Sequence, residues 1–532
     1  MHKNNLRKVL APITVALALV IGMYINSLFI NNKAENKQEL YPSRHESKLD
    51  MVLNMVNYSY VDTVDIKEIE ENAIQAVIKD LDPHTVYIPA KEMIKVAEEM
   101  AGNFGGIGIQ FYKYRDTVTV IKAIPGGPAE RAGIRPGDRV VRVDDSLIAG
   151  VKMADKDIMA MMRGEVGTNV NVRVYRKEAK QAVFDKTLRR ASIPVKSVDV
   201  AYMINDTMGY VKVNTFGMHT YDEFMEALGK LNKSGMKKLI VDLRSNEGGI
   251  LPIALKMVNE FFDANKLIVY TEGKASPRSD YYSNGKGLYK NLPLVVLIDE
   301  SSASASEIFA GAVQDNDRGM IIGRRSFGKG LVQEQRGLPD GSALRLTVAR
   351  YYTASGRSIQ RPYAEGKEKY YTDLYERILH GELEERDSTH FDEAQKYQTT
   401  GGRTVYGGGG IMPDIFVPAD TVGYSNYLMK LSRSMQLYNY TFDFMDKHRK
   451  EMEGLKDYKE VLQYLKKYDV VKEMVAYAEK NGIKRDAKGL KESRHIIETQ
   501  IASFIARHAL DDEGFYPVIE KIDITLQKAI SE

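Results

Sequence analysis

Between residues 208 and 323, near-continuous apolar strands alternate with segments of helical period, and this alternation restricts the fold more than any other feature. "KKLIVDLR" and "LPLVVLID" carry apolar residues at almost every position, the pattern of strands buried on both faces of a parallel sheet. "MGYVKVNTF" precedes them as a further strand, and "KLIVYTEG" lies between them. "TYDEFMEALGKLNKSG" has helical spacing, with Thr220 predicted as N-cap and Glu223 completing a capping box. "SNEGGI" turns into the helical "LPIALKMVNEFF". The order is βαβ, so the fold class is α/β. After Lys329 the chain becomes β-rich ("LVQEQRGL", a "PDG" turn, "SALRLTVARYYT"), and from Tyr424 onward it is charged and helical.

At 532 residues the chain exceeds one ordinary core. The pattern divides it into a stalk and helical region over 31–94, a β-rich block over 95–190, the α/β core over 191–423 and a C-terminal helical domain over 424–532. A net charge of +3 gives no broad electrostatic case for nucleic acid. The absence of cysteine excludes a disulfide framework and thiol catalysis.

Location is written at the N-terminus. Lys3, Arg7 and Lys8 precede an uncharged run, Val9 to Ile30, that as a helix would measure roughly 33 Å. The only small-residue "A-L-A" lies inside this run rather than after it, so an uncleaved signal anchor over 9–30 is expected. The positive-inside rule then keeps residues 1–8 cytoplasmic and puts the rest outside. In a cell envelope, that is the periplasmic face of the inner membrane.

The 95–190 block contains "GGIGIQFYKY" and "TVTVIKAI" as strands, then "GGPAERAGIRPGDRVVRVDDSLI": a short helix, a Pro-Gly turn and another strand. This grammar resembles a PDZ domain. The resemblance implies that Gly106, Ile107, Gly108 and Ile109 offer backbone N–H groups to the carboxylate of a peptide C-terminus, the peptide adding as a strand to the sheet edge.

Chemistry concentrates in two stretches. "LVVLIDESSASASEIFAGAVQ" runs from a buried strand through a turn into a helix starting near Ala303. A serine at that junction lies at the positive end of a helix dipole, where free N–H groups can hold an oxyanion. Ser304 with Glu307 three residues on equally fits a capping box, so spacing leaves nucleophile and cap both open. Ser301, Ser302 and Ser306 are expected to cap or pack. The nine histidines are scattered, there is no G-x-S-x-G elbow, and His84 in "LDPHTVYIP" is expected to be a structural turn residue. A lysine can act as base instead if burial keeps it neutral. Lys329 suits this, sitting between Gly328 and Gly330 and flanked by Phe327, Leu331 and Val332. Gln333 would share its face in an extended strand and could orient the amine without adding charge. "GRRSFGKG" approaches a phosphate-binding loop, but Gly330 replaces the Ser or Thr and a strand follows where a helix is needed.

"SSASASEIFAGAVQDNDRG", "GRRSFGKGLVQ", "LDPHTVYIP", "VDLRSNEGG" and "YYTASGRSIQ", with a PDZ-like block before the core, resemble the C-terminal processing peptidases, or tail-specific proteases. The resemblance implies a crotonase/Clp-like α/β spiral core with an inserted PDZ domain. It implies Ser304 as nucleophile, Lys329, 25 residues later, as general base, and Gln333 as its helper. It gives the oxyanion hole to the N–H of Ala305 and of Gly248 or Gly249, and requires no metal or cofactor. The implied partners are proteins with unstructured C-termini, with dimerisation or adaptor docking as roles for the helical tail. The rival reading is a catalytically silent, membrane-anchored PDZ scaffold, against which the intact serine, lysine and glutamine argue.

Overall fold

A computed structural model describes residues 47–177, 182–385 and 392–532. The signal anchor expected over 9–30 lies outside the described residues, as does the segment before it; among the described residues no helix is long and apolar enough to cross a membrane. Residues up to Ile74 form a unit of their own. There α1 (Lys48–Ser59) starts on a capping box in which Ser47 and Asp50 satisfy each other's backbone N–H, and α2 (Ile66–Ile78) follows.

From Gln75 onward the chain is a second unit. β1 (Val86–Ile88) leads through α3 (Ala90–Ala101) to β2 (Asn103–Gly106). The block that follows contains β3 (Ile109–Tyr114), β4 (Thr117–Ala123), α4 (Pro128–Arg131), β5 (Arg139–Val143), β6 (Ser146–Leu147), α5 (Asp155–Met162), β7 (Asn169–Tyr175) and β8 (Val183–Arg189). Its antiparallel sheet has the order β3-β4-β5-β7-β8, with β6 on β5. Alternation buries one residue in two, so Val118, Val140, Val170, Val172 and Leu188 meet Ile158 of α5 in a core of their own. β9 (Ala191–Pro194) pairs with β2, so the strands entering and leaving the block fasten to each other.

The α/β core comprises β10 (Val198–Met203), β11 (Met208–Val213), α6 (Thr220–Lys233), β12 (Lys238–Asp242), α7 (Leu251–Asn259), β13 (Leu267–Glu272), β14 (Ser279–Tyr282), β15 (Leu294–Ile298), α8 (Ala305–Asp315), β16 (Met320–Gly323), β17 (Leu331–Gly337), β18 (Ala343–Thr353), α9 (Lys367–Leu379), β19 (Lys396–Gln398), β20 (Thr404–Tyr406) and β21 (Ile415–Phe416). One sheet has the order β10-β11-β12-β15-β16-β21, parallel from β11 to β21. A second has the order β1-β18-β13-β14, with β17 paired to β18. The expected α/β core with an inserted PDZ-like block is therefore present. The capping box expected at Thr220 is not: His219 is the N-cap, and Thr220 Oγ donates to the Thr215 carbonyl. Glu223 instead accepts the N–H groups of Ser197 and Val198 at 2.8 and 2.9 Å, holding the entry to β10. A tertiary pair of donors has outcompeted the local cap.

The C-terminal region builds α10 (Asn426–Arg433), α11 (Gln436–Met452), α12 (Tyr458–Leu465), α13 (Val470–Lys480) and α14 (Ala487–Leu510) around their own core. Tyr112 of β3 stacks on Phe442 of α11, and Tyr114 donates to Asp443 at 2.8 Å, which docks these helices on the PDZ-like block. α15 (Asp512–Ile519) and α16 (Ile524–Ser531) turn back to the α/β core. Leu526 and Ala529 pack with Tyr210, Ile240, Val295, Leu297 and Ile322 on the face of the parallel sheet opposite α6, α7 and α8. Arg244 clamps the joint, donating to Asp242 and, through two nitrogens, to Asp523. Deleting residues 524–532 should uncover this sheet face, lower the melting temperature by roughly 10 °C and create binding of an apolar dye.

Candidate active site

The turn between β15 and α8 sorts its serines by what each hydroxyl touches. Ser302 is fully buried and donates to the Leu243 carbonyl at 2.8 Å, and Ser306 donates to the Asn246 carbonyl at 2.8 Å. Both tie the turn to the neighbouring "LRSNEGG" segment, as packing residues do. Ser304 instead borders an open cleft of about 570 Å³ together with Lys329 and Gln333. Its φ of 54° and ψ of −112° lie where non-glycine residues are strained, a conformation held by the surrounding bonds. It is the N-cap of α8, and its N–H donates to Glu307 Oε2 at 2.9 Å.

Glu307 does more than cap. Its buried carboxylate also accepts the N–H of Lys329 and of Gly328, each at 2.8 Å, and the Ser326 hydroxyl at 2.5 Å. One side chain thus joins the serine turn to the lysine loop. Burial pushes its carboxyl up, while these donors pull it down. From the other side the Tyr351 hydroxyl donates to the carbonyls of Ser304 and Lys329, at 3.1 and 2.6 Å. The glycines beside the lysine are required by close approach: a Cβ on Gly330 would lie 3.0 Å from the Gln360 nitrogen, and one on Gly328 3.2 Å from Gly410 N. "TVYGGGGIMPDI" therefore supplies the loop that packs on the lysine segment before β21 rejoins the sheet.

Lys329 is held below the usual lysine range by burial first and by the guanidinium of Arg345 second, with Glu307, Asp82 and Glu247 opposing. It forms no ion pair among the described residues. Gln333 lines the same cleft, and its amide nitrogen donates to the His84 carbonyl, a short contact that fixes the side chain. His84, expected as a turn residue, thus touches the machinery through its backbone. Its ring bonds the Tyr370 hydroxyl at 2.9 Å and is pushed down to about 4 by burial and the nearby Lys329 charge, so it is neutral at pH 7.

The amide groups expected for an oxyanion sit at this turn. Ala305 is the first residue of α8, whose N–H has no intrahelical partner by construction. The Gly248 N–H is already donated to Asn246 Oδ1 at 2.9 Å, which leaves Gly249 as the glycine with an unengaged amide. Gly248 has a different task. Its φ is 102°, and a Cβ there would fall 2.8 Å from both Ala305 N and Ser304 Cβ. Gly248→Ala should lower the melting temperature and cut kcat by about 10²-fold or more, measured by thermal melts and on one peptide substrate.

In the PDZ-like block Gly106 ends β2, paired with Ala191, and Ile109 opens β3, so Ile107 and Gly108 link the two strands. The carbonyls of Ile107 and Gly108 are taken by the N–H groups of Ala129 and Ile124. Upstream, Glu98 of α3 accepts the Gly105 N–H at 2.9 Å, while Val96 and Met100 of the same helix border the cleft that holds Ser304 and Lys329. Sequence patterns did not mark α3, which straddles the boundary placed between residues 94 and 95. The contributions of Glu307, Tyr351 and Arg345 also went unmarked, because each acts across a distance in sequence.

Residues 207–366 match the model of peptidase family S41, residues 105–184 that of the PDZ domain, and residues 427–511 that of a family of unknown function, DUF8443. Over 348 residues the chain is 34% identical to a probable CtpA-like serine protease of Staphylococcus aureus (strain COL), spanning 65% of this chain and 68% of that protein. It is 32% identical over 351 residues to a probable CtpA-like serine protease of Staphylococcus haemolyticus (strain JCSC1435), spanning 66% and 67%. Among solved structures it is similar to a photosystem II D1 C-terminal processing protease, at 26% identity and a TM-score of 0.36 over 70% of this chain and 88% of that one. With a PDZ domain set into an α/β core, the chain belongs to the CtpA-like serine proteases of peptidase family S41.

Proposed function

We propose that this serine protease works through a Ser304–Lys329 dyad and cuts proteins that it captures by their C-terminal tails, at the outer face of the membrane that residues 9–30 would anchor it to. The observation that carries the reading is the shared cleft: Ser304 and Lys329 line it together, with their backbones bridged by Glu307 and Tyr351. The location rests on the basic residues before an uncharged run of 22.

The chemistry follows from the environment. Neutral Lys329 takes the proton from Ser304 Oγ as the oxygen attacks the scissile carbonyl. Negative charge then develops on the carbonyl oxygen, toward which the N–H of Ala305 and of Gly249 are directed in this reading. The protonated lysine gives its proton to the leaving amine. Water, activated by the same lysine, releases the acyl group and restores the serine. Gln333, fixed by the His84 carbonyl, keeps the amine oriented without adding a charge that would hold it protonated. The PDZ domain concentrates tails that end in a free carboxylate.

The test uses a protein ending in an unstructured tail and the same protein with its C-terminus amidated. The free acid should be cut with a KM at least about 10-fold lower, and a serine-reactive covalent probe should label wild type but not Ser304→Ala. Equal cleavage of both forms would remove the tail-capture part. Labelling that persists without Ser304 would remove the dyad.

A further inference from the structure

The catalytic cleft follows the edge of a strand. β17 is paired with β18 on one side and has no second strand neighbour among the described residues. Leu331, Val332 and Gln333, three consecutive residues, border the cleft together with Gln335. Successive strand residues point to opposite faces, so a groove that meets all three runs along the edge and not over one face. Such an edge presents backbone N–H and C=O groups to a further extended chain.

Arg345 in this groove lacks an opposite partner among the described residues. Arg345 lies on β18 opposite Gln335, and its guanidinium donates to the neutral Gln335 Oε1 at 3.1 Å. Arg244, Arg324, Arg325, Arg357, Arg361 and Arg377 of the same core each hold a carboxylate. Arg345 forms no ion pair among the described residues, although it is half-buried. Glu247 borders the same cleft from the turn beside Ser304 and does not pair with it. A half-buried planar fork that has met only an amide is suited to a carboxylate.

We infer that Arg345 selects substrates carrying an Asp or Glu side chain in the extended segment laid along β17. This deepens the proposed function and rests on its Ser304 and Lys329 assignments. Arg345 is also the leading charge holding Lys329 down, so a carboxylate bound to it is felt by the base. Acidic substrates should therefore show the acid limb of kcat, which reports the enzyme–substrate complex, at higher pH than their amide counterparts.

The experiment scans a single Glu, and separately a single Gln, through the positions flanking the cut in an otherwise neutral peptide. At one fixed position Glu should exceed Gln in kcat/KM by about tenfold, or 1.4 kcal/mol, and the ratio should shrink with added salt. Arg345→Gln should erase the ratio, and Arg345→Glu should turn the preference toward Lys at that position. A wild-type enzyme indifferent to Glu at every position, a preference unaffected by salt, or one surviving in Arg345→Gln would each overturn the inference. If the variants fail to fold, the wild-type ratio and its salt dependence still decide. Cleavage without charge preference sinks the Arg345 role alone; no cleavage and no probe labelling of Ser304 sinks the dyad with it.

Discussion

Ser304→Ala should lower cleavage of a tailed protein by about 10⁴-fold or more while leaving the melting temperature nearly unchanged. The hydroxyl borders the cleft, whereas the bonds that hold the turn run through the Ser304 backbone to Glu307 and Tyr351. Removing Oγ therefore removes the proposed nucleophile and spares the scaffold. The neighbouring serines should behave in the opposite way. Ser302→Ala and Ser306→Ala each leave a buried carbonyl without its donor, at a cost of about 1–3 kcal/mol, so stability should fall while residual activity persists. Thermal melts and cleavage assays on the three variants check this, and retained cleavage by pure Ser304→Ala would refute the nucleophile.

Lys329→Met and Lys329→Arg should both be inactive, for different reasons. Methionine fits the apolar stem but cannot take a proton. Arginine keeps the charge and does not deprotonate at any working pH. In the wild type, activity should rise with pH as Lys329 passes through its lowered pKa, because in the proposed dyad only the neutral amine serves as base. Stability should carry the same signature. Below the folded-state pKa both folded and unfolded chains hold the proton, and the full burial penalty is present. Between that value and the unfolded value of about 10.4, the folded chain has released its proton and stability climbs with pH. Lys329→Met removes the penalty, so it should melt a few degrees higher than wild type, on the order of what one relieved buried charge supplies. The gain should be largest at low pH and fade toward high pH. A variant that melts below wild type across the whole range would show that Lys329 is not a destabilised, poised base.

Much of this molecule was legible without coordinates because its signals are local. Continuous apolar runs fix β12 and β15 as central parallel strands, since no other arrangement buries both faces of each. Period-two alternation with Gly and Pro turns marks the PDZ block, and the serine-rich turn and the glycine-flanked lysine announce themselves by composition. Local reasoning failed where a distant partner offered a better bond. Glu223, read as a cap, holds Ser197 and Val198; Glu307, also read as a cap, caps and in addition grips the lysine loop. Neither carboxylate's second set of donors lies near it in sequence.

What the sequence determined by itself was therefore the inventory: an α/β core, an inserted block, a helical tail, and Ser304 and Lys329 as the groups worth testing. The tertiary structure decided which hydroxyl faces the cleft and, among the described residues, which glycine amide is left unengaged and that Arg345 meets no carboxylate. It also decided that α16, which reads as part of a separate helical domain, seals the second face of the parallel sheet. The reason is physical. Backbone period and turn chemistry act over a few residues, while burial, charge and the pairing of polar groups depend on what the folded chain brings alongside.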